Sequence, residues 1–551
     1  EKGEYYVYVR TYNWTSPWKK GEGPGKFSLS VGGKKMTSPL GAEGFAWMWQ
    51  IAGKVSVKNL KTVIKLHDLT GFDGRCDAIY FTTEVGKMPP SDVKELEAFR
   101  RQALGLPDEA PVAGEYDLVV VGAGIAGMSA AVSAARLGCR VALINDRPVV
   151  GGNNSSEIRV HLGGRIEEGT YKELGGLQKE FGPEKGGNAQ PAEYYEDQKK
   201  MDWLAGEKNV SLFLNFRAIG VTKEGDKITS VIVKHIESGK ELKFEAPLFS
   251  DCTGDGTIGY LAGADYRMGR EGRDEYGESI APEKADKLTM GSSVQWYSVD
   301  NKKSSPFPEF GYGVEFNDKN CEKVMMGEWT WETGMNFDQI KDFERIRDYG
   351  MLVVYSNWSY LKNRMKENDQ YKNRKLGWVA YVAGKRESRR LMGDYILKED
   401  DITKNVSHED ASFATTWSID LHWQDPKNSE HFPGNEFKAV TKHILIHPYA
   451  VPYRCLYSRN VDNLFMAGRN ISVTHVALGT VRVMRTTGMM GEVVGMAASL
   501  CKKYDVTPRG VYRSHLEDLK TLMKEGVNKK GLPNNQRYNE GGMLKDKPVV
   551  Q

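Results

Sequence analysis

The stretch YDLVVVGAGIAGMSAAVSAARLGCRVALIND, residues 116–146, decides the fold. Its apolar run 116–121 predicts a buried strand, and the alanine-rich run 128–137 predicts a helix that ends at Gly138. Residues 140–144 predict a second strand, so the segment is a complete βαβ unit. The motif GxGxxG lies between the first strand and the helix, which predicts a dinucleotide site rather than an isolated glycine-rich turn.

Each glycine of this motif has a physical role. Gly122 allows the tight turn after the strand, Gly124 lets the backbone approach a pyrophosphate, and Gly127 lets the helix pack closely against the strand. Ile125 and Ala126 open the helix, where unpaired N–H groups and the helix dipole favour negative charge. We therefore expect the pyrophosphate at this helix N-terminus.

The position that should hold the adenosine ribose departs from the usual pattern. A carboxylate is expected at the end of the second strand, about 20 residues after the glycines. Asn145 occupies that position here, and Asp146 follows it. Either Asp146 reaches the ribose or Asn145 makes a weaker bond. Arg147 lies nearby, but we do not interpret it as a 2′-phosphate site.

Three further segments identify the dinucleotide. They are GGNNSSEIRVHLGG (151–164), DCTGDGTIGYLAGADYRMGREG (251–272) and VPYRCLYSRNVDNLFMAGRNISVTHVALGTVRVMRTTG (451–488). Together they resemble a family of bacterial FAD-dependent oxidoreductases of the glutathione-reductase-like class, distantly related to the flavoprotein subunit of heterodisulfide reductase. The resemblance implies FAD as the cofactor. It implies no iron–sulfur cluster, because the cysteines that would hold one are absent.

Residues from all four segments are expected to contact FAD. They are Gly122, Gly124, Ile125, Ala126, Gly127, Asn145, Asp146, Arg147, Gly151, Gly152, Asn153, Ser155, Thr253, Gly254, Asp255, Gly468, Arg469 and Gly488.

The order of predicted strands and helices along the chain indicates an α/β fold. We expect a split Rossmann-like FAD-binding domain, an α+β substrate or cap domain and a small N-terminal all-β sandwich. The expected order is a β-sandwich accessory domain (1–90), a helix and linker (91–114), the first segment of the FAD-binding domain (115–270), the cap (271–440), the second segment of the FAD-binding domain (441–504) and a C-terminal helix and tail (505–551).

Composition limits the classes of function. The 551 residues carry a net charge of +3, which gives no electrostatic case for nucleic acid or an acidic membrane surface. No apolar run is long enough to span a membrane. The six cysteines are scattered without a Cys-x-x-Cys pair, which argues against zinc ribbons and thiol–disulfide centres.

Flavin chemistry commonly moves a hydride while a nearby acid or base handles a proton. His161 and His475 lie in flavin-proximal segments, and Glu157 and Arg159 alternate with His161. Arg482 is a candidate for binding an anionic or polyhydroxylated substrate. The competing interpretations are a core histidine for His161 and an ion pair or pyrophosphate contact for Arg482. His443 and His447 sit four apart, but the intervening residues suggest a strand, so we predict no metal site.

The N-terminal segment is crowded with Trp14, Trp18, Trp47 and Trp49. It resembles β-sandwich modules attached to secreted polysaccharide-processing enzymes. Exposed tryptophans would stack on sugar rings, although core packing is the favoured interpretation. The resemblance points to a periplasmic or secreted protein, and a cytoplasmic location stays open.

The leading functional hypothesis is an FAD-dependent dehydrogenase or oxidase acting on a small polar substrate, with a carbohydrate favoured. No second GxGxxG unit is present, so a separate electron acceptor or oxygen is expected. The alternatives are a glycan-binding protein with a structural or vestigial flavin, a flavin reductase or monooxygenase with an external electron donor, and an NAD-binding protein without flavin.

Overall fold

The computed structural model describes residues 1–535, which divide into two units. Unit 1 comprises Glu1–Pro107, Asp300–Lys323 and Met351–Lys375; unit 2 comprises Asp108–Val299, Val324–Gly350 and the chain from Leu376 onward. The expected cap, residues 271–440, is therefore shared between the units.

The secondary structure alternates short strands with helices along most of the chain. The strands are β1 (Gly3–Tyr12), β2 (Phe27–Val31), β3 (Lys34–Lys35), β4 (Met48–Val57), β5 (Ile64–Asp68), β6 (Arg75–Thr82), β7 (Val112–Glu115), β8 (Leu118–Val121), β9 (Val141–Asn145), β10 (Val210–Leu214), β11 (Phe216–Glu224), β12 (Lys227–His235), β13 (Glu241–Glu245), β14 (Leu248–Asp251), β15 (Tyr266–Arg267), β16 (Ser292–Ser293), β17 (Trp296–Asp300), β18 (Met326–Gly327), β19 (Glu332–Thr333), β20 (Arg374–Val379), β21 (Gly384–Lys385), β22 (Arg390–Leu391), β23 (Ala411–Ala414), β24 (Ile419–Gln424), β25 (Ala439–Ile444), β26 (Ala450–Pro452) and β27 (Leu464–Met466). The α-helices are α1 (Val93–Ala103), α2 (Ile125–Arg136), α3 (Leu177–Phe181), α4 (Asp197–Ala205), α5 (Thr257–Leu261), α6 (Arg273–Tyr276), α7 (Phe343–Asn363), α8 (Asp369–Lys372), α9 (Glu399–Thr403), α10 (Pro426–His431), α11 (His475–Val481), α12 (Met484–Tyr504), α13 (Pro508–Ser514) and α14 (Leu516–Glu525).

Unit 1 contains two antiparallel three-stranded sheets, β4-β1-β6 and β3-β2-β5. Valines of β1 and the apolar side chains of β2 belong to one buried cluster. The segments from the expected cap join this unit through aromatic packing: the rings of Phe72 and Phe310 are 4.8 Å apart, and those of Phe72 and Tyr355 are 5.2 Å apart. Aromatic burial thus explains why residues far along the chain complete an N-terminal unit.

Two of the four N-terminal tryptophans of unit 1 are buried. Trp14 is fully buried at 0% exposure, and its indole N–H donates to the carbonyl of Phe72. Trp49 is also buried and donates to the carbonyl of Pro90. Trp18 and Trp47 are half-buried, and Trp47 stacks on Tyr12. The core-packing interpretation therefore accounts for Trp14 and Trp49.

Unit 2 is built on a five-stranded parallel sheet with the order β10-β9-β8-β14-β27. The strands β8, β9, β14 and β27 are buried along their whole length, as expected for a sheet covered on both faces. The predicted α/β fold is confirmed. Helix α12 packs closely against α2, because a Cβ at Gly491 would lie 2.1 Å from the carbonyl oxygen of Ala126.

The C-terminal region differs from the expected single helix. Two helices, α13 and α14, meet at His515, whose backbone is not helical (φ −135°, ψ 26°). The imidazole of His515 stacks on the ring of Tyr504, with the ring centroids 3.8 Å apart. Residues 536–551 of the expected tail lie outside the described residues. Across residues 1–535, no helix is both long and apolar enough to cross a bilayer.

A buried carboxyl in α12 makes stability depend on pH. Glu492 is 0% exposed; its Oε1 accepts from the N–H groups of Gly175 and Leu177, and its Oε2 has no partner among residues 1–535. Burial raises the pKa of this carboxyl from 4.5 to about 8. The protonated form is thus favoured in the folded state, and its stabilising contribution falls as the pH rises from 4.5 toward 8.

We expect Glu492→Gln to remove this decline, because a neutral amide resembles the protonated carboxyl. The slope at stake is up to about 1.4 kcal/mol of unfolding free energy per pH unit. Denaturant unfolding of both proteins across that pH range measures it. Parallel stability curves for the two proteins would contradict the assignment.

Candidate functional site

A cavity of about 740 Å³ lies in unit 2. Its lining includes the segments that follow four strands of the parallel sheet: Gly122 after β8, Asp146 after β9, Thr253 after β14 and Gly468 after β27. Ligands of parallel α/β sheets bind at the carboxyl ends of the strands. The cavity is therefore the candidate site.

The GxGxxG loop has the shape that a pyrophosphate needs. Gly122 has φ +99°, and a Cβ there would lie 2.3 Å from the carbonyl oxygen of Cys252. Gly127 lies outside the lining, and a Cβ there would lie 1.8 Å from the oxygen of Gly122. Helix α2 begins after Gly124 without a side-chain cap, and Ile125 and Ala126 line the cavity. The first N–H groups of an uncapped helix are donors for an anion, so this region of the cavity fits a dinucleotide pyrophosphate.

Hydrogen bonding decides between the two candidates for the ribose. The side chain of Asn145 is occupied: Oδ1 accepts from the N–H of Ala123 at 3.1 Å, and Nδ2 donates to the carbonyls of Arg147 and Val149. Asp146 is exposed and lines the cavity. Asn145 therefore supports the loop, and Asp146 is the carboxylate available to a ribose.

The loop Gly151–Gly152–Asn153 and Ser155 also line the cavity, as expected for cofactor contacts. A buried lysine stabilises this loop through hydrogen bonds to backbone carbonyls. Lys200 is 0% exposed, and its ammonium donates to the carbonyls of Asn154, at 2.7 Å, and of Tyr195. Burial lowers the pKa of Lys200 to about 8.

Lys200→Met is expected to weaken FAD binding by about tenfold, since two buried carbonyls lose their donor at a cost of about 1–3 kcal/mol. Titration of the cofactor-free protein with FAD, followed by flavin fluorescence, measures the change. The exposed Lys208→Met is the matched control and should bind FAD like the unaltered protein. Equal Kd values for all three proteins would contradict a supporting role for Lys200.

A charged cluster follows β14 and β27. Arg469 Nη2 donates to Asp255 Oδ1 at 2.7 Å, and the ammonium of Lys385 is paired with the same carboxylate. Burial alone would raise the pKa of Asp255, but Lys385 and Arg469 lower it well below the usual value. Arg469 Nε is buried without a partner among the described residues and remains a donor for a ligand.

A second set of polar side chains also lines the cavity; we call it the polar cluster. It comprises Trp329, Arg386, Trp417, Asp420, His422, His443 and Arg482.

Strand pairing builds the centre of this cluster. Asp420 on β24 lies directly opposite His443 on β25, and His422 is two residues farther along β24 on the same face. Asp420 Oδ1 lies 3.3 Å from His422 Nε2 and 3.6 Å from His443 Nε2. Arg482 Nη2 donates to Asp420 Oδ2 at 2.9 Å. Arg482 Nη2 also lies 3.0 Å from His422 Nε2. Two imidazoles and a guanidinium thus lie around one carboxylate.

The charge state of Asp420 follows from these neighbours. Burial would raise the pKa of Asp420, but Arg482 and the two histidines hold it well below its ordinary value. Its Oδ1 makes no hydrogen bond among the described residues. Asp420 is therefore an ionised carboxylate with an oxygen still able to accept a hydrogen bond from a hydroxyl group.

The two imidazoles differ in access. His422 has a side chain only 2% exposed, and its Nδ1 lies 2.7 Å from Glu332 Oε2. Burial would raise the pKa of Glu332, but Arg386 and His422 lower it to about 2, so this carboxylate only accepts and places the proton on Nδ1. His443 is 30% exposed and contacts the hydroxyl of Ser418. His443 is the accessible imidazole of the pair.

The five catalytic candidates from the sequence separate into two groups. His161, Glu157 and Arg482 line the cavity, whereas His475 and Arg159 lie outside its lining. His161 Nδ1 lies 2.9 Å from Asn188 Oδ1, which also accepts from the backbone N–H of His161. Nδ1 therefore carries the proton.

The remaining candidates are held by protein partners. Glu157 accepts from Arg147 Nε at 3.0 Å. Arg159 is buried with its guanidinium 3.8 Å from the ring of Trp378. His475 is 3% exposed, and its Nδ1 lies 2.9 Å from both oxygens of Glu387.

Gly488 is outside the lining as well, and a Cβ there would lie 2.4 Å from Gln178 Nε2. Its role is close helix packing rather than cofactor contact.

Several residues that line the cavity were not predicted from the sequence. Lys385 and Arg386 belong to a basic run in the expected cap, and Phe216 opens β11. Asp420 and His422 alternate along a strand-like run, a period-two signal that could have placed them on one face. Their partnership with His443 needs the strand register, which the sequence does not state.

Comparisons with known proteins identify the family of the chain. A sequence profile described as FAD dependent oxidoreductase matches residues 117–523. No curated protein sequence matches the chain. Similar solved structures include a geranylgeranyl bacteriochlorophyll reductase-like protein from Thermoplasma acidophilum, with 14% identity over 75% of this chain and 83% of that chain and a TM-score of 0.31. They also include the myxobacterial chondrochloren halogenase CndH (11% identity, 74% and 79% coverage, TM-score 0.31) and the E. coli quinol fumarate reductase FrdA (11% identity, 74% and 74% coverage, TM-score 0.27).

Proposed function

The chain belongs to the FAD dependent oxidoreductase family, and from this premise we propose that it oxidises a hydroxyl group of a small polar substrate, a carbohydrate or an oxidised carbohydrate. Its cofactor is FAD. FAD supplies a two-electron acceptor that takes up a hydride. Four regions of the cavity would hold FAD: the GxGxxG loop, Asp146, the Gly151–Gly152 loop and the Asp255–Arg469 pair.

The observation that carries the proposal is the polar cluster in the same cavity as the dinucleotide loops. Asp420 offers a carboxylate oxygen without a hydrogen-bond partner among residues 1–535, and Arg482 Nε is a buried donor without one. A hydroxyl group can donate to the first and accept from the second. This combination suits a substrate rich in hydroxyl groups.

We assign removal of the hydroxyl proton to His443. An imidazole that takes up a proton becomes a cation, and Asp420, 3.6 Å away, stabilises that cation. His161 faces the neutral amide of Asn188 instead. In the reaction the C–H bond breaks with its electron pair leaving as hydride, the O–H proton passes to His443, and a C=O bond forms. Reoxidation needs an external electron acceptor or oxygen.

A carbohydrate is favoured by the aromatic side chains in the cluster. Trp329 and Trp417 line the cavity beside Asp420 and Arg482. The C–H face of a sugar ring packs against an aromatic ring while its hydroxyl groups reach polar side chains. Support for a sugar substrate therefore comes from unit 2 rather than from the buried tryptophans of unit 1. We also propose a secreted or periplasmic location, because it is compatible with a carbohydrate substrate.

The test is anaerobic mixing of the purified yellow protein with aldoses, uronic acids, polyols and 2-hydroxy acids, followed by flavin absorbance. Bleaching by one of these, reversed by oxygen or a redox dye, is the expected result. Direct bleaching by NADH or NADPH alone would favour a flavin reductase or monooxygenase. Polysaccharide binding without any bleaching would favour a glycan-binding protein with a structural flavin. A colourless protein that takes up no FAD would overturn the cofactor assignment.

A further inference from the structure

The charge of the chain is unevenly distributed between its units. Unit 1 contains 26 Lys and Arg against 18 Asp and Glu, a net charge of +8, whereas the whole chain carries +3. The rest of the chain is therefore at −5. The net charge of the whole chain is small and gave no electrostatic case for an acidic membrane surface. Unit 1 by itself is nevertheless basic.

Some of this charge is concentrated at one end of the β3-β2-β5 sheet. We call this surface the tip and define it by residues 32–35 and 58–66. The N–H of Gly32 donates to the carbonyl of Val63 at 2.9 Å, which joins the two segments. Lys35 and Lys65 flank Ser30 on the neighbouring strands, so their backbones are about 10 Å apart.

The tip combines two kinds of exposed side chain. Its lysines are Lys34, Lys35, Lys58, Lys61 and Lys65, all exposed. Its aliphatic side chains are Leu60, Val63, Leu66 and Ile64, exposed by 86%, 63%, 51% and 42%. No acidic residue occurs between Glu43 and Asp68, and none of the five lysines forms an ion pair within residues 1–535. Exposed apolar groups surrounded by cations that form no ion pair mark an interaction surface.

We propose that the tip docks unit 1 on a bilayer that contains anionic lipids. Lysines near such a surface are attracted to its negative potential, and aliphatic side chains enter the boundary between headgroups and acyl chains. An acidic polysaccharide would satisfy the lysines but would leave Leu60 and Val63 in water. The tip also lacks the aromatic side chains that pack on sugar rings. The aliphatic groups therefore favour lipid.

The experiment is co-sedimentation of the full FAD-loaded chain with phosphatidylcholine vesicles, with and without phosphatidylglycerol. We expect binding only where phosphatidylglycerol is present, and weaker binding at high salt. The triple variant K58E/K61E/K65E should lose at least about a hundredfold in binding, since each lysine contributes about fivefold. L60S/V63S, which keeps every lysine, should also weaken binding.

The matched control reverses three exposed lysines of unit 2, K223E/K227E/K240E, and changes the net charge equally. It should bind vesicles like the unaltered chain, and all variants should keep their FAD. Failure of the unaltered chain to bind phosphatidylglycerol vesicles would overturn the proposal. So would equal loss in the control variant, or retention on an acidic polysaccharide such as alginate without vesicle binding.

Discussion

His443→Gln is expected to slow flavin reduction by the substrate about 10²–10⁴-fold, the usual contribution of a positioned proton acceptor. The variant should keep its full FAD content, because His443 belongs to the polar cluster and not to the GxGxxG loop. Stopped-flow absorbance under anaerobic conditions, with the substrate identified by bleaching, measures the rate.

Two companion variants sharpen this test. Asp420→Asn keeps the shape of the carboxyl but removes the charge opposite His443, so its rate should also fall. His431→Gln changes an exposed histidine outside the cavity lining and should leave the rate unchanged. If His443→Gln reduced the flavin at the normal rate and His161→Gln reduced it slowly, the proton acceptor would be His161 and not His443.

Gly124→Ala is expected to weaken FAD binding about tenfold or more without unfolding the protein. The backbone of Gly124 has an ordinary φ of −69°, and the nearest atom to an added Cβ is the Cα of Gly152, 3.9 Å away. The protein itself therefore has room for the methyl group, whereas a pyrophosphate approaching this backbone does not. We expect a loss of at least about 1–3 kcal/mol in FAD binding free energy. FAD titration by calorimetry and the Tm of the cofactor-free protein measure both effects.

Two glycines provide the controls for this prediction. Gly220→Ala, in β11, has its nearest contact at 3.7 Å and should bind FAD normally. Gly127→Ala places its Cβ 1.8 Å from the carbonyl oxygen of Gly122 and should lower the Tm. If Gly124→Ala bound FAD as tightly as the unaltered protein, the pyrophosphate could not lie on this loop.

The local features of the site could be predicted because their determinants are adjacent in sequence. The spacing of Gly122, Gly124 and Gly127 between a strand and a helix specifies a loop whatever the rest of the chain does. The glycine spacing predicts only a dinucleotide, and the confirmed cofactor was implied by the family resemblance of the segments 151–164, 251–272 and 451–488. The choice between Asn145 and Asp146 stayed open, because it depends on which side chain already has hydrogen-bond partners.

The substrate region depends on long-range pairing and was largely missed. Asp420 and His443 meet only because β24 and β25 pair in one register. His475 follows a flavin-proximal segment, yet its side chain turns to Glu387 and away from the cavity lining. Sequence proximity locates a backbone but does not fix the direction of a side chain.

The composition of unit 1 has a consequence for how the protein is made. This unit includes Met351–Lys375, and the buried ring of Phe72 packs on Phe310 and Tyr355. A ribosome moving from the N-terminus must therefore synthesise roughly two thirds of the chain before the first unit can complete its core. Until then the segments that complete the core of unit 1 have not been synthesised. The first residues translated are thus among the later ones to reach their final packing, and residues 1–107 cannot be treated as a module that is transplanted intact.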